Sequence, residues 1–381
     1  MKKRALLLLP GLLLLLTGCA RPVHARELSM LQPVQTLGFD GEPGAVVISA
    51  SDSPGDRGED SLRLSARGES VVRAAEELRN FGAREELFFA HAAYVLVGEE
   101  ATRSGIGEVL DWFERSTQTR LRLPLFLVRD GDARTLVTGS RDEDYEITAL
   151  LKALEATSRR EGEVVCPTLL ETARALAEDG TALCCALAAV TAEENTLSAE
   201  TGTLLPRAAG YGVLKDGALA GWLDLPAARG PTILLNKAGE ISYALPEGAG
   251  VATLTLRSCQ TKLTPLRDGE GLFFRAEIDV RAALTGLTES GGLTRARLQK
   301  LEAGLEDIIM EETGLALASE KALRADFLHL RAAAERSFSV SAKDGEAFLK
   351  NLRWEILPQV RIERRYDVTG APGREGGGER G

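Results

Sequence analysis

The chain has 381 residues, with 46 basic and 56 acidic side chains, 5 cysteines and a formal charge of −10. That length suggests two or three domains. The acidic balance opposes nucleic-acid binding, which needs a basic patch, and so few cysteines without repeated spacing make no disulfide framework.

Lys2, Lys3 and Arg4 precede an apolar run from Ala5 to Leu16, interrupted by Pro10 and Gly11. A spanning helix needs roughly 20 apolar residues, and here the chain turns polar directly after Cys19. The layout is that of an export signal. Leu16-Thr17-Gly18-Cys19 resembles the bacterial lipobox. The resemblance implies cleavage before Cys19 and lipidation of its thiol, with acyl chains of the palmitate type holding the protein on the outer face of the membrane. Each buried methylene contributes about 0.8 kcal/mol, and two chains suffice for lasting attachment. Loss of the leader removes three basic residues and makes the mature chain more acidic.

Beyond the leader, Leu31 to Phe39 and Ala45 to Ala50 read as strands joined by the turn-rich DGEPG, followed by an acidic loop. Ser70 caps a predicted helix from Val71 to Asn80, with Val71, Val72, Ala75 and Leu78 on its buried side. ELFFAHAAYVLVG reads as a strand that holds His91 in the core. Ile106, Val109, Leu110 and Phe113 then keep a helical period. LRLPLFLVRDG alternates as a strand, and its Pro124 argues for an edge or a bulge. A helix from Asp144 to Ser158 follows, then a capping box of Thr168 and Glu171 that opens a helix to about Asp179. TALCCALAAV reads as a buried strand whose Cys184 and Cys185 point to opposite faces. Cys166, Cys184, Cys185 and Cys259 are read as small core hydrophobes, and none stands at zinc spacing to His24, His91 or His329, so no metal is expected.

Residues 192–207 turn polar, and a domain boundary is placed there. A hairpin turned at Lys215-Asp216-Gly217 follows. Next comes a longer antiparallel pair, Val251 to Leu266 and Leu272 to Ala283, in which Phe274, Ala276, Ile278 and Val280 form the buried face. Thr294 opens a long helix with Leu298, Leu301, Leu305, Ile308 and Ile309 on one side. A strand through Val360 and Ile362 precedes a Gly-rich charged tail, read as disordered. Strands and helices in this order predict an α+β protein of several domains, with mixed and antiparallel sheets flanked by helices. The divisions are residues 1–18 as signal peptide, 19–200 as one domain or two subdomains, 201–370 as a second, and 371–381 as tail.

The order of several short motifs resembles the Ger(x)C family of spore germination lipoproteins. Arg26-Glu27-Leu28 and Leu37-Gly38-Phe39-Asp40 stand near the anchor, and FFAHAAYVLVGEEATRSGIGEVLDWFERSTQTRL follows. KDGALAGWLD with Arg229-Gly230, SCQTKLTPLRDGEGLFFRAEIDV, LRADFLHL and WEILPQVRIERRYDVTG complete the order. The resemblance spans nearly the whole chain; departures are Ala20-Arg21-Pro22 after the lipid cysteine and Phe39 for an isoleucine. It implies a germinant-receptor subunit at the spore inner membrane, without catalysis or cofactor, that assembles with integral-membrane subunits. Contact with the nutrient itself is left open.

Trp222 and Trp354 are either partner-facing anchors or caps on the core of the second domain. Asp224 and Arg229 are read as an ion pair holding a turn, in which Gly221 and Gly230 supply backbone freedom. Arg120 and Arg122 read as a solvated strand face. A hydrolase is disfavoured by the lack of G-x-S-x-G and H-E-x-x-H and by three histidines in all. A solute-binding lipoprotein of a transporter is the alternative, and would show two doubly wound lobes.

Overall fold

The computed structural model describes residues 31–52, 62–80, 86–117, 119–139, 145–191, 204–288, 294–338 and 345–363. Leu16, Thr17, Gly18, Cys19 and the tail from residue 364 lie outside the described residues. Strand β1 (Leu31–Pro33) pairs in parallel with β5 (Glu86–Phe88). Strands β2 (Thr36–Glu42) and β3 (Ala45–Ser51) form the expected hairpin over Pro43-Gly44, and β4 (Arg63–Gly68) extends it. The Ser70 hydroxyl accepts from the Arg73 N–H at 3.2 Å and starts helix α1 (Val71–Asn80). This helix buries Val71, Ala74, Ala75 and Leu78. Val72, expected inside, is 52% exposed, because the 100° step of the helix puts Ala74 rather than Val72 on the stripe with Val71 and Leu78.

ELFFAHAAYVLVG is not one strand. β5 gives way to a single 3-10 turn at Phe89–His91 before β6 (Tyr94–Val97). His91, expected in the core, sits at the exposed end of that turn with its ring 5.4 Å from Phe88. Helices α2 (Glu99–Ser104) and α3 (Gly107–Arg115) follow. Trp112 and Phe113 of α3 meet Phe39 edge-on, each at 5.9 Å.

β7 (Leu125–Arg129) starts directly after Pro124, which forms only an isolated bridge with Thr168. Pro124 therefore marks a beginning rather than an edge, and β7 lies inside the sheet with both faces covered. Helices α4 (Ala133–Thr138), α5 (Ile147–Glu161) and α6 (Leu169–Asp179) lead to β8 (Thr181–Thr191). The predicted capping box is formed: the Thr168 hydroxyl accepts from Glu171 N–H, and the Glu171 carboxylate accepts from Thr168 N–H at 2.8 Å.

β9 (Leu204–Lys215) and β10 (Ala218–Leu223) complete an eight-stranded sheet in the order β10-β9-β8-β7-β6-β2-β3-β4. Its four central strands are parallel and its flanks antiparallel. The sheet thus crosses the polar interval 192–203, since β8 before it pairs with β9 after it. One face carries α1, α3 and α6 over Leu37, Phe39, Val97, Leu127 and Cys184. The other face, with Leu96, Phe126, Cys185, Leu187 and Val213, belongs to a second core that runs on into the C-terminal half. Cys184 and Cys185 face opposite ways, as alternation requires.

Residues expected to form a turn after Leu223 form helix α7 (Leu225–Leu234) instead, with Gly230 and Pro231 inside it. A second sheet has the order β11 (Ser242–Glu247), β12 (Gly250–Asp268), β13 (Gly271–Leu287) and β14 (Arg353–Glu363). Its first three strands are antiparallel, and β14 joins β13 in parallel. Phe274, Ala276, Ile278 and Val280 form its buried face, as alternation predicts. Helix α8 (Arg295–Leu323), capped by Thr294, lays Leu301, Leu305 and Ile309 against this face and buries Leu298 as well. Along β14 the carboxylates of Glu302 and Glu306 accept the outward N–H groups of Ile362 and Val360, each at 2.9 Å. Two edge donors are thereby satisfied. Short helices α9 (Leu330–Phe338) and α10 (Gly345–Asn351) connect α8 to β14. The architecture is thus the expected mixture of mixed and antiparallel sheets flanked by helices.

Candidate functional site

The motif Arg229-Gly230 lies at the joint between the two halves. Gly230 has no positive φ; its role is contact. A Cβ there would stand 2.5 Å from the Glu312 carbonyl oxygen and 2.6 Å from the Ala316 Cβ, so only glycine lets α7 cross α8 this closely. Gly221 is less constrained, because a Cβ there would meet only the end of the Leu323 side chain of α8, at 2.6 Å, and that side chain can shift. Neither glycine serves a turn.

Asp224 and Arg229, expected to pair with each other, take different partners. Arg229 Nη1 donates to Glu312 Oε1 at 3.0 Å, and Nη2 donates to Glu163 Oε1 at 2.5 Å in the loop after α5. Its guanidinium also lies 5.2 Å from the centroid of the Tyr243 ring, whose hydroxyl donates to Glu312 Oε2 at 2.8 Å. Glu312 is only 4% exposed. Burial pushes its carboxyl above the usual range, against the pull of Arg229 and Tyr243. Three segments far apart in sequence are therefore held by one cation. Sequence reasoning missed Glu163, Tyr243 and Glu312, although Glu312 carries a signal. It falls in the apolar stripe of α8 that continues through Ile309 and Ala316, where a carboxylate requires a buried partner.

Asp224 precedes α7 and accepts from Arg129 Nη1 at 2.6 Å. The Arg129 guanidinium lies 5.8 Å from the Trp222 ring centroid, and Trp222 packs partly buried against the first core. Trp354 covers Phe274 at a ring distance of 5.3 Å and is likewise partly buried. At the end of β2, Asp40 accepts the N–H groups of Ala133 and Arg134 at 2.7 and 2.8 Å. Desolvation raises its pKa to about 6 despite those bonds.

Beside the joint runs a crevice of about 710 Å³. Arg159, Cys166, Tyr211, Lys237 and His329 are among its lining residues, as is Arg122, which sequence reasoning left on a solvated face. The Tyr211 hydroxyl accepts from Val165 N–H at 2.7 Å and lies 3.0 Å from the Thr232 hydroxyl, tying the crevice floor to α7. Among the described residues no group of three or more His, Cys, Asp or Glu side chains is placed to hold a metal ion. No described helix is long and apolar enough to cross a membrane.

A family profile described as "Spore germination protein N-terminal domain" matches residues 24–189, and one described as "Spore germination B3/ GerAC like, C-terminal" matches residues 209–369. The chain belongs to the GerAC-like spore germination proteins. No curated protein matches the sequence significantly. A solved structure described as "Crystal Structure of the GerBC protein" is similar in fold, with a TM-score of 0.55 and 12% identity over 86% of this chain and 96% of that one. The GerAC-like assignment places the Arg229 joint between the two matched regions: Glu163 falls in the first, and Arg229, Tyr243 and Glu312 fall in the second.

Proposed function

We propose that this GerAC-like protein is the lipid-anchored C subunit of a nutrient germinant receptor, acting at the spore inner membrane by assembly with integral-membrane subunits rather than by catalysis. The observation that carries the reading is the pair of germination-family profiles, in order, over residues 24–189 and 209–369. The joint supports it, because a scaffold must transmit position between its parts and Arg229 ties three segments into one body. In this reading Cys19, after Leu16-Thr17-Gly18, bears the lipid. Attachment then makes weak contacts with membrane partners effectively intramolecular. Trp222 and Trp354, half-buried at the surface, would contribute to such contacts. A solute-binding lipoprotein would need two doubly wound lobes, whereas the second sheet here is mainly antiparallel.

The test is nutrient-triggered release of dipicolinic acid from spores carrying the wild-type protein, a deletion, or Cys19→Ala, with a receptor-independent trigger as control. Loss of the nutrient response alone in the deletion supports the reading. The same loss in Cys19→Ala, at equal protein level, assigns the anchor to Cys19. A nutrient response that persists after deletion of this gene and every paralogous receptor overturns it.

A further inference from the structure

The crevice beside the joint exists because the first sheet has a gap there. β8 pairs with β7 only from Cys185 onwards. Ahead of that point Leu125 N–H donates to the Pro167 carbonyl at 2.9 Å instead of continuing the ladder. On the other side of β8, Asp216 N–H donates to the Gly180 carbonyl at 2.7 Å, which sets the alternation with β9. Ala182 and Cys184 therefore turn their main-chain groups to β9, and Leu183 turns its N–H and C=O into the gap. Among the described residues neither Leu183 group has a partner. Residues 326–329 close the far end: the Thr181 hydroxyl donates to the Asp326 carbonyl at 2.8 Å, and His329 Nδ1 lies 2.6 Å from Asp179 Oδ2. Charge is uneven along the walls. Glu155 is taken up by Arg159 and by the Tyr94 hydroxyl at 2.9 Å, and Glu171 by the N–H and hydroxyl of Thr168 at 2.8 and 2.9 Å. Arg122 and Lys237, both exposed, have no side-chain partner among the described residues.

We propose that this crevice binds a small organic carboxylate with an apolar body, a role beyond that of a scaffold. Arg122 and Lys237 supply the charge that draws in and holds the carboxylate, through hydrogen bonds stronger than those between neutral groups. The apolar body lies along Leu183, Leu235 and Phe327, and the free main-chain groups of Leu183 serve a polar substituent on it. A volume of about 710 Å³ falls within the roughly 300–1,000 Å³ of small-molecule sites, in which a few placed polar groups interrupt an apolar lining. The charges select among ligands. A zwitterion would bring an ammonium group to acidic side chains that are already engaged. A neutral molecule would gain nothing from the two cations. Leu170 N–H donates to the Leu121 carbonyl at 2.9 Å, which sets Glu171 at the same end as Arg122; that carboxylate disfavours a more highly charged anion such as phosphate.

The experiment is isothermal titration of the detergent-solubilised full chain with hydrocinnamate and with hexanoate, each blanked against matched micelles. Saturable binding at a single site is expected with at least one of them. The corresponding amide should bind about tenfold or more weakly, and so should the carboxylate to Arg122→Gln combined with Lys237→Gln. Both side chains are exposed and unbonded, so this variant keeps the fold, which its urea midpoint verifies. Phenylalanine, which adds an ammonium group to hydrocinnamate, and inorganic phosphate should each bind more weakly than the carboxylate. The proposal is overturned if neither carboxylate binds saturably, if the amide binds equally well, or if the double variant keeps wild-type affinity. Equal or tighter binding of phenylalanine or phosphate likewise overturns it. None of these results touches the receptor reading, which spore germination decides separately.

Discussion

Replacing Arg229 with alanine leaves Glu312 buried, with the Tyr243 hydroxyl as its remaining side-chain donor. Removing one partner of a buried ion pair costs about 3–5 kcal/mol. The Glu163 arm, on a carboxylate 30% exposed, adds no more than about 1 kcal/mol. Because the Arg229 side chain is itself 22% exposed, the lower end applies, about 3 kcal/mol. The loss should depend on pH. Burial already holds the Glu312 pKa above its ordinary value with Arg229 in place, and the variant raises it further. An acid whose folded pKa is raised binds its proton more tightly in the native state than in the unfolded chain. Its destabilising effect is absent below the unfolded value and grows as pH rises through the folded one. Urea unfolding followed by tryptophan fluorescence at pH 5 and pH 8 should therefore show the larger deficit at pH 8. Arg229→Ala combined with Glu312→Gln should recover part of it. A deficit under about 1 kcal/mol at pH 8, or one equally large at pH 5, would refute the claim that the guanidinium compensates a buried carboxylate.

Gly230→Val should destabilise the chain by about 1–3 kcal/mol, as overpacking between α7 and α8 does; unchanged urea midpoints would mean that the helices separate freely. Asp40→Asn removes a carboxyl whose pKa rises from 3.8 to about 6 on folding. Native Asp40 holds its proton more tightly, so wild-type stability falls between those values, and the variant should gain on it by up to about 3 kcal/mol from pH 4 to pH 7. Parallel stability curves would contradict this. Thr168→Ala deletes one side of the capping box and should cost about 1 kcal/mol in urea unfolding, with Thr168→Ser largely restoring it. Trp354→Ala strips the cover from Phe274 and should cost about 2–3 kcal/mol, below the 3–5 of a fully buried aromatic.

Much of the fold was legible wherever a single local signal decided the outcome. The Thr168 and Glu171 box, the Ser70 and Thr294 caps, and the 2.0 period of β13 all act within one element and read directly from residue order. Pro124 misled because its missing N–H was counted inside a strand, whereas it stands one residue ahead of β7. Helix α7 was hidden by Gly230 and Pro231, which oppose helix locally and are accommodated because α8 packs against them. Gly230 was noticed correctly as special, but for backbone freedom rather than for close approach. His91 shows the same limit, since a turn of three residues was enough to bring it out of an apolar run to the surface.

Sequence by itself determined the family, the order of most strands and helices, the buried face of β13 and the opposed faces of Cys184 and Cys185, because these depend on residue spacing along one element. Only the tertiary structure decided that one sheet crosses residues 192–203, that Asp224 pairs with Arg129, and that Arg229 joins Glu163 to Glu312. Those pairings unite residues tens of positions apart or lie between elements. Which partner a charge meets is set by how sheets and helices stack, and stacking is a property of the summed burial of many side chains rather than of any short stretch.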